Sequence, residues 1–154
     1  MKGNEELIEA LNGLLADELT AIHQYIVHMG MASNWGYNDL AKYIFKRAKG
    51  EMKHADILID RILFLEGTPL LQSINKLHIG KDVPDALEND HKAEEGAIAG
   101  YNAAIRLAVE VGDNATRDIL EGNLEDEDDH INAIEERLDQ IKQMGIANYL
   151  AVQI

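Results

Sequence analysis

A glutamate and a histidine three positions apart, Glu51 and His54 in the stretch EMKHAD, could together bind a metal ion. Residues three apart lie on one face of an α-helix, so their carboxylate and imidazole can reach the same ion. That face is otherwise apolar, with Ile44, Leu58 and Ile62 on neighbouring turns. Because polar groups directed into a core need partners, the pair predicts further ligands elsewhere in the chain.

The chain contains an internal repeat that preserves this pair. Four residues of the first half recur at one constant offset: Glu18, Tyr25, Glu51 and His54 correspond to Glu94, Tyr101, Glu127 and His130. A single glutamate on an apolar face is commonly a residue that reaches solvent or sits near a helix end. A repeat that keeps four glutamates and two histidines instead predicts that they meet in one site.

The chemistry of such a site is restricted by its charge. Four buried carboxylates need partners, because desolvation costs on the order of several kcal/mol per ion, and two divalent cations would balance them. Many carboxylates with one imidazole per metal favour iron or manganese over copper and zinc. One Glu from each of two helices and Glu-x-x-His from each of two others is the known ligand set of di-iron and di-manganese carboxylate bundles; we match it here rather than derive it independently.

Four long helical patterns must position these residues. Apolar residues recur every three or four positions over 8–29, 41–65, 87–108 and 120–141, and no strand pattern competes with them. The segments ASNWGYND and GDN break the patterns, and Pro84 suits the first turn of the third helix. We predict an all-α fold, with one domain over residues 1–154 and a short fifth helix after Gly145.

The order of the helices also follows from the turns. Residues equidistant from a hairpin turn share a height, so Glu18 faces Glu51, and Glu94 lies within side-chain reach of Glu127. The segment GTPLLQSINKLHIGKDV between the second and third helices is longer than a link at one end of a bundle usually needs. We therefore predict one long crossover along the four-helix bundle.

Composition excludes several classes of protein. The net charge of −14, from 28 acidic and 14 basic residues, argues against nucleic-acid binding. No cysteine is present, which excludes disulfides, iron–sulfur clusters and cysteine zinc sites and fits a cytoplasmic protein. No apolar run is long enough for a membrane span, so no membrane association is expected.

The stretches QYIVHMGMASNWGYNDL, EMKHADILIDRILFLEGTPLLQ and EDEDDHINAIEERLDQIKQMGIANYL, with the four glutamates, resemble bacterioferritin over nearly the whole chain. The resemblance implies a ferritin-like four-helix bundle that assembles into a hollow homo-oligomer of 24 subunits. Each subunit would bind two iron ions, oxidise ferrous iron with O2 or H2O2, and store ferric mineral. Glu51 and Glu127 would bridge the irons, with Glu18 and Glu94 as terminal ligands and one histidine on each iron.

The same resemblance implies a haem. Met52 matches the family's axial methionine, so two subunits would hold one b-type haem at a two-fold interface, and a ferredoxin-type reductant could supply electrons for iron release. Tyr25 lies seven residues after Glu18, two turns along the same helix face, where its hydroxyl could order a carboxylate or supply an electron during oxidation, or its ring could serve in packing alone. Some members carry a further iron site where this chain has Lys46 and Gly50, and that site is expected to be absent here.

Two other functions share parts of the pattern. A di-iron or di-manganese oxidase or peroxidase of the rubrerythrin kind would use a similar ligand set, although the chain lacks that family's Cys-x-x-Cys module. A helical scaffold with solvated acids would not require the constant offset. His91, which falls in the third apolar stripe, is interpreted as a core histidine or as a partner of the ligands.

Overall fold

The computed structural model describes residues 1–154 and contains five helices and no strand. They are α1 Glu5–Asn34, α2 Asn38–Phe64, α3 Val83–Glu110, α4 Asn114–Met144 and α5 Ile146–Ala151. The predicted all-α fold, a four-helix bundle with a short C-terminal helix, is confirmed. None of the helices is both long and apolar enough to cross a membrane.

The helix starts follow from local chemistry. The side chains of Asn4, Asp82 and Asp113 accept hydrogen bonds from backbone N–H groups in the first turns of α1, α3 and α4. The two hairpin turns contain Gly36 at φ 87° and Gly112 at φ 77°, a left-handed conformation that favours glycine. Each hairpin is therefore closed by a short turn that fixes the relative height of its two helices.

The connection between α2 and α3 runs the length of the bundle, as predicted. It starts beside the N-terminus, where the Gly3 N–H donates to the Leu65 carbonyl over 2.9 Å. Side chains of α1 then accept hydrogen bonds from successive backbone N–H groups of the connection: Asn12 from Leu70, Thr20 from Asn75, Gln24 from His78 and His28 from Gly80. The crossover is thus attached to α1 along its path.

A buried polar cluster holds the end of this crossover. The Nδ1 of His28 lies 2.9 Å from Oδ1 of Asp90 on α3, and the Gly80 N–H donates to His28 Nε2 over 2.9 Å. The Gln24 amide also donates to Asp90, over 2.8 Å. Because Nε2 accepts from Gly80, Nδ1 carries the ring proton and donates it to Asp90. His28 has no characteristic spacing to other polar residues in the sequence, so only the structure reveals this cluster.

The apolar core is divided into two clusters by a polar layer. One cluster surrounds the beginning of α1 and includes Leu7, Leu11, Leu15, Leu58, Ile62 and Leu120. The other surrounds the end of α1 and includes Ala32, Leu40, Ile44, Leu87, Ile134 and Tyr149 of α5. The predicted metal ligands lie at the level between the two clusters, so tight packing above and below fixes the helices that carry them.

Gly80 provides a test of the crossover's close packing. A Cβ on Gly80 would lie 2.3 Å from the backbone N of Ala86, so Gly80→Ala should lower the free energy of unfolding by roughly 1–3 kcal/mol. A Cβ on Gly13, within α1, would meet nothing within 4 Å, so Gly13→Ala should be neutral or stabilising by up to about 1 kcal/mol. Denaturant unfolding of both variants checks this. Equal stability of the two would contradict the close approach.

Candidate metal centre

Six buried side chains from four helices converge between the two apolar clusters. None is more than 5 % exposed: Glu18 on α1, Glu51 and His54 on α2, Glu94 on α3, and Glu127 and His130 on α4. Their ligand atoms form two overlapping groups, within each of which all atoms lie within 4.8 Å of one another. One group contains Glu18 and His54, the other contains Glu94 and His130, and Glu51 and Glu127 belong to both.

The two shared carboxylates divide their oxygens between the two imidazoles. Glu51 Oε2 lies 3.1 Å from Nδ1 of His54, and Glu51 Oε1 lies 3.0 Å from Nδ1 of His130. Glu127 is arranged in the opposite sense, with Oε1 3.0 Å from His54 Nδ1 and Oε2 3.1 Å from His130 Nδ1. This is the geometry of carboxylates that can bridge two cations. The imidazole rings are nearly parallel, with centroids 5.7 Å apart.

The outer carboxylates are each held by a tyrosine from the other hairpin. Tyr25 of α1 donates a hydrogen bond to Glu94 of α3, and Tyr101 of α3 donates one to Glu18 of α1. The Asn123 amide donates to the Tyr101 hydroxyl over 3.1 Å. Tyr25 therefore contacts a carboxylate, although on a different helix from Glu18. Tyr101 is part of the internal repeat, but no spacing in the sequence predicts its contact with Glu18.

Burial and mutual repulsion favour protons on the outer carboxylates. Burial, with repulsion from Glu51 and Glu127, raises the pKa of Glu18 to about 8. Burial and the charge of Glu51 likewise raise the pKa of Glu94 well above its ordinary value. Without metal, both groups therefore carry protons near neutral pH.

The inner carboxylates and the imidazoles stabilise each other as ions. Burial alone would raise the pKa of Glu51 and Glu127, but close contacts with the His130 and His54 imidazoles outweigh it and lower both pKa values. Burial alone would lower the pKa of the imidazoles, but the carboxylates raise it, to about 9 for His130 and further for His54. Two anions and two cations then balance in the centre when no metal is bound.

The donor set fits a pair of hard divalent cations. Glu51 Oε1 and Glu127 Oε1 are buried, and their 3.0 Å contacts with the imidazole Nδ1 atoms are not aligned as hydrogen bonds, which costs free energy that a cation would recover. Bound cations would displace the protons of the imidazole Nδ1 atoms and of the outer carboxylates. Oxygen-rich coordination with one nitrogen per ion is typical of iron and manganese.

Asp126 is a contact of this centre that sequence reasoning missed. Its Oδ2 lies 3.2 Å from Nε2 of His54, and Lys53 Nζ lies 3.3 Å from the same oxygen. Burial alone would raise the pKa of Asp126, but the His54 hydrogen bond and the Lys53 charge hold it below its ordinary value. The residue stands next to Glu127 in an acidic run, where no periodicity distinguishes it from solvated acids.

The other residues singled out from the sequence lie outside the cluster. Met52 is 53 % exposed and points away from the bundle core. His91 is neither a core residue nor a partner of the ligands: its side chain is 21 % exposed and its Nε2 lies 3.0 Å from Glu135 on α4. The helix α3 is rotated about its axis so that the edge of its apolar stripe that contains His91 lies near solvent.

A cavity of about 470 Å³ leads toward the centre between the crossover and α3. Its inner lining includes the four buried glutamates, and its outer lining includes the exposed residues Asn75, Lys76 and Lys92. Asp17 also lines it and accepts a hydrogen bond from the Asn75 amide over 2.6 Å. Small reactants therefore have a route from the surface to the carboxylates.

The raised pKa values predict how stability depends on pH after chelation of metal. Glu18 and His130 bind protons more tightly in the folded chain than when unfolded, so the free energy of unfolding should fall as pH rises from about 4.5 to about 9. Saturating Mn(II) should reverse the fall, because the cations replace those protons. Thermal unfolding with and without metal measures both effects. Glu18→Gln should flatten the fall, whereas a rise in the unfolding temperature of the chelated wild type would contradict the charge balance.

Comparison with known proteins agrees with this architecture. The sequence model of the ferritin-like domain matches residues 8–144. The chain is 41% identical over 155 residues to the bacterial ferritin of Pseudomonas aeruginosa, covering 100% of both chains. It is 40% identical over 149 residues to the bacterioferritin of Brucella melitensis, covering 97% of this chain and 92% of that protein. The bacterioferritin of Rhodobacter capsulatus is 40% identical over 145 residues, covering 94% of this chain and 90% of its own length. With a matching domain, matching length and a buried carboxylate and histidine cluster, this chain belongs to the ferritin family, among the bacterioferritins.

Proposed function

We propose that this protein oxidises ferrous iron at the six-residue centre and stores the ferric product as mineral inside a shell of identical subunits. The observation that carries the proposal is that Glu51 and Glu127 each direct one oxygen to each half of the centre. Two iron ions held this way would share both carboxylates. Membership of the bacterioferritins supports storage as the role of the oxidised product.

The charges of the centre suit two ferrous ions as substrate. Four carboxylates balance two divalent ions, with His54 and His130 each completing one half. The ions supply two electrons, which with two protons convert O2 to H2O2, or H2O2 to two water molecules. The protons displaced from Glu18 and Glu94 are available within the cavity that reaches these carboxylates. Tyr25 keeps Glu94 oriented through its hydroxyl and serves as an auxiliary residue.

Met52 supports a second cofactor at the outer surface. Its thioether is exposed on the outward side of α2, immediately after the inward-facing Glu51. Phe45, two turns earlier on α2, is also exposed, and apolar side chains on one face favour contact with another copy of the chain. We propose that two such copies hold one b-type haem between their Met52 residues. The haem would pass electrons from a ferredoxin-type reductant to the stored iron. Twelve such pairs of subunits would form the 24-mer. We propose that the assembled protein works in the cytoplasm.

Removal of one shared or one outer carboxylate should separate oxidation from folding. Glu127→Ala and Glu18→Ala should each slow rapid ferrous oxidation by about 100-fold or more, because a ligand contributes at least as much as a group that merely orients one. Glu125→Ala, an exposed change on the same helix as Glu127, is the matched control. Stopped-flow oxidation measures the rate, and size exclusion checks the particle. Wild-type oxidation in either ligand variant would rule out the assigned centre.

Met52→Leu tests the haem independently of iron oxidation. The substitution keeps volume and apolarity, so assembly should survive with little loss of stability. Loss of the thioether should remove the low-spin spectrum of a haem with two axial ligands, while ferrous oxidation continues and reductive iron release slows.

The decisive comparison is the visible spectrum of the haem-reconstituted variant beside its oxidation rate. Wild type should bind one haem per two chains. An unchanged spectrum in Met52→Leu would show that another residue binds the haem, and loss of oxidation would show that the two sites are not separable.

A further inference from the structure

The internal repeat is broken at one position that contacts the centre. Asp126 lies four residues before His130 on α4, and the residue at the matching place in the first half, four before His54 on α2, is Gly50. Because α2 and α4 pack beside each other, each of these positions faces the histidine of the other helix. Asp126 contacts His54, and a Cβ on Gly50 would lie 3.4 Å from Nε2 of His130.

The two histidines therefore have different outer contacts. His54 donates from Nε2 to the Asp126 carboxylate over 3.2 Å, which leaves Nδ1 free of its proton when a cation is bound and fixes the orientation of the ring. His130 has no protein acceptor at Nε2, since the glycine beside it offers no side chain. Its ring is held only by packing and by the carboxylates at Nδ1.

The charges around the two halves reinforce this difference. On the His54 side, the Asp126 carboxylate adds a negative charge, which Lys53 partly balances at the surface. On the His130 side, the matching position is Gly50, which brings no carboxylate to the ring. A cation is thus favoured more beside His54 than beside His130.

We infer that the two halves hold metal unequally: Asp126 is a positioning residue that makes the half with Glu18 and His54 the tight one, while Gly50 makes the half with Glu94 and His130 the labile one. This inference rests on the proposed function of the centre and extends it. Gly50, which has no side chain, lies beside the His130 ring at the packing contact between α2 and α4.

Cobalt(II) provides a test because it is not oxidised by air at the centre and its position can be found by anomalous diffraction. Crystals of the assembled protein with one Co(II) per chain should show the His54 half filled and the His130 half largely empty. Removal of a carboxylate that orients a ligand histidine typically costs about 10–100-fold in affinity. Asp126→Ala should therefore bring the two occupancies close to equality.

Matched variants keep the result specific. Asp128→Ala removes the same charge from an exposed position of α4 and should leave the occupancies as in wild type. Gly50→Asp should increase occupancy beside His130, whereas Gly50→Ala, which adds only the Cβ, should not. Equal occupancy in wild type, or an Asp126→Ala result identical to Asp128→Ala, would overturn the inference.

The outcome is distinguishable from failure of the proposed function. Ferrous oxidation is measured separately on the same preparations. Unequal Co(II) occupancy in a wild type that does not oxidise ferrous iron would reject the ferroxidase and keep the positioning role of Asp126. Absence of Co(II) from both halves together with absence of ferrous oxidation would reject both, and rapid oxidation with equal occupancy would reject only the inequality.

Discussion

Four carboxylates and two imidazoles lie in the middle of an apolar helical bundle, and the rest of the structure accommodates the cost of keeping them there. Each buried ion loses on the order of several kcal/mol of hydration, which neighbouring groups must offset. Without metal, protons on Glu18 and Glu94 and on both imidazoles bring the centre to charge balance. Two divalent cations would also balance the charge of the four carboxylates. The fold must therefore hold six side chains at one height in either state.

Several features of the backbone meet that requirement. Short hairpin turns with left-handed glycines set the heights of α1 against α2 and of α3 against α4. The crossover, bonded to α1 at successive turns, sets the height of one hairpin against the other. Apolar clusters on either side of the polar layer prevent the helices from sliding. The tightly packed apolar clusters on either side therefore make it possible to keep charged side chains in the centre.

Sequence reasoning reached the helices, the crossover and the candidate ligands because these depend on periodicity and on distance along the chain. Glu51 and His54 are recognisable from their spacing, whereas Met52 was singled out only by the resemblance to bacterioferritin. Contacts that depend on the rotation of one helix against another were not predictable. The bonds of Tyr101 to Glu18 and of Asp126 to His54 are of this kind, since neither pair has a characteristic spacing.

The same limit explains why the environment of His91 was predicted wrongly. His91 follows the periodicity of a core position, but the stripe on α3 is wider than the face that packs, and its edge reaches Glu135 at the surface. His28 shows the reverse case. It has no characteristic spacing to other polar residues in the sequence, yet its side chain is fully buried against Asp90. One-dimensional patterns locate a helix face, while packing decides which of its edges is covered.

The reciprocal tyrosines have a consequence for the origin of the fold. Each hairpin supplies the hydroxyl that holds the outer carboxylate of the other, so neither hairpin alone contains a complete half of the centre. Two copies of a single ancestral hairpin, related by a two-fold axis, would satisfy the same contacts. Gene duplication and fusion could then have produced one chain without rebuilding the site. In a single chain the two halves can differ, and Asp126 against Gly50 is a difference that a symmetric dimer could not carry.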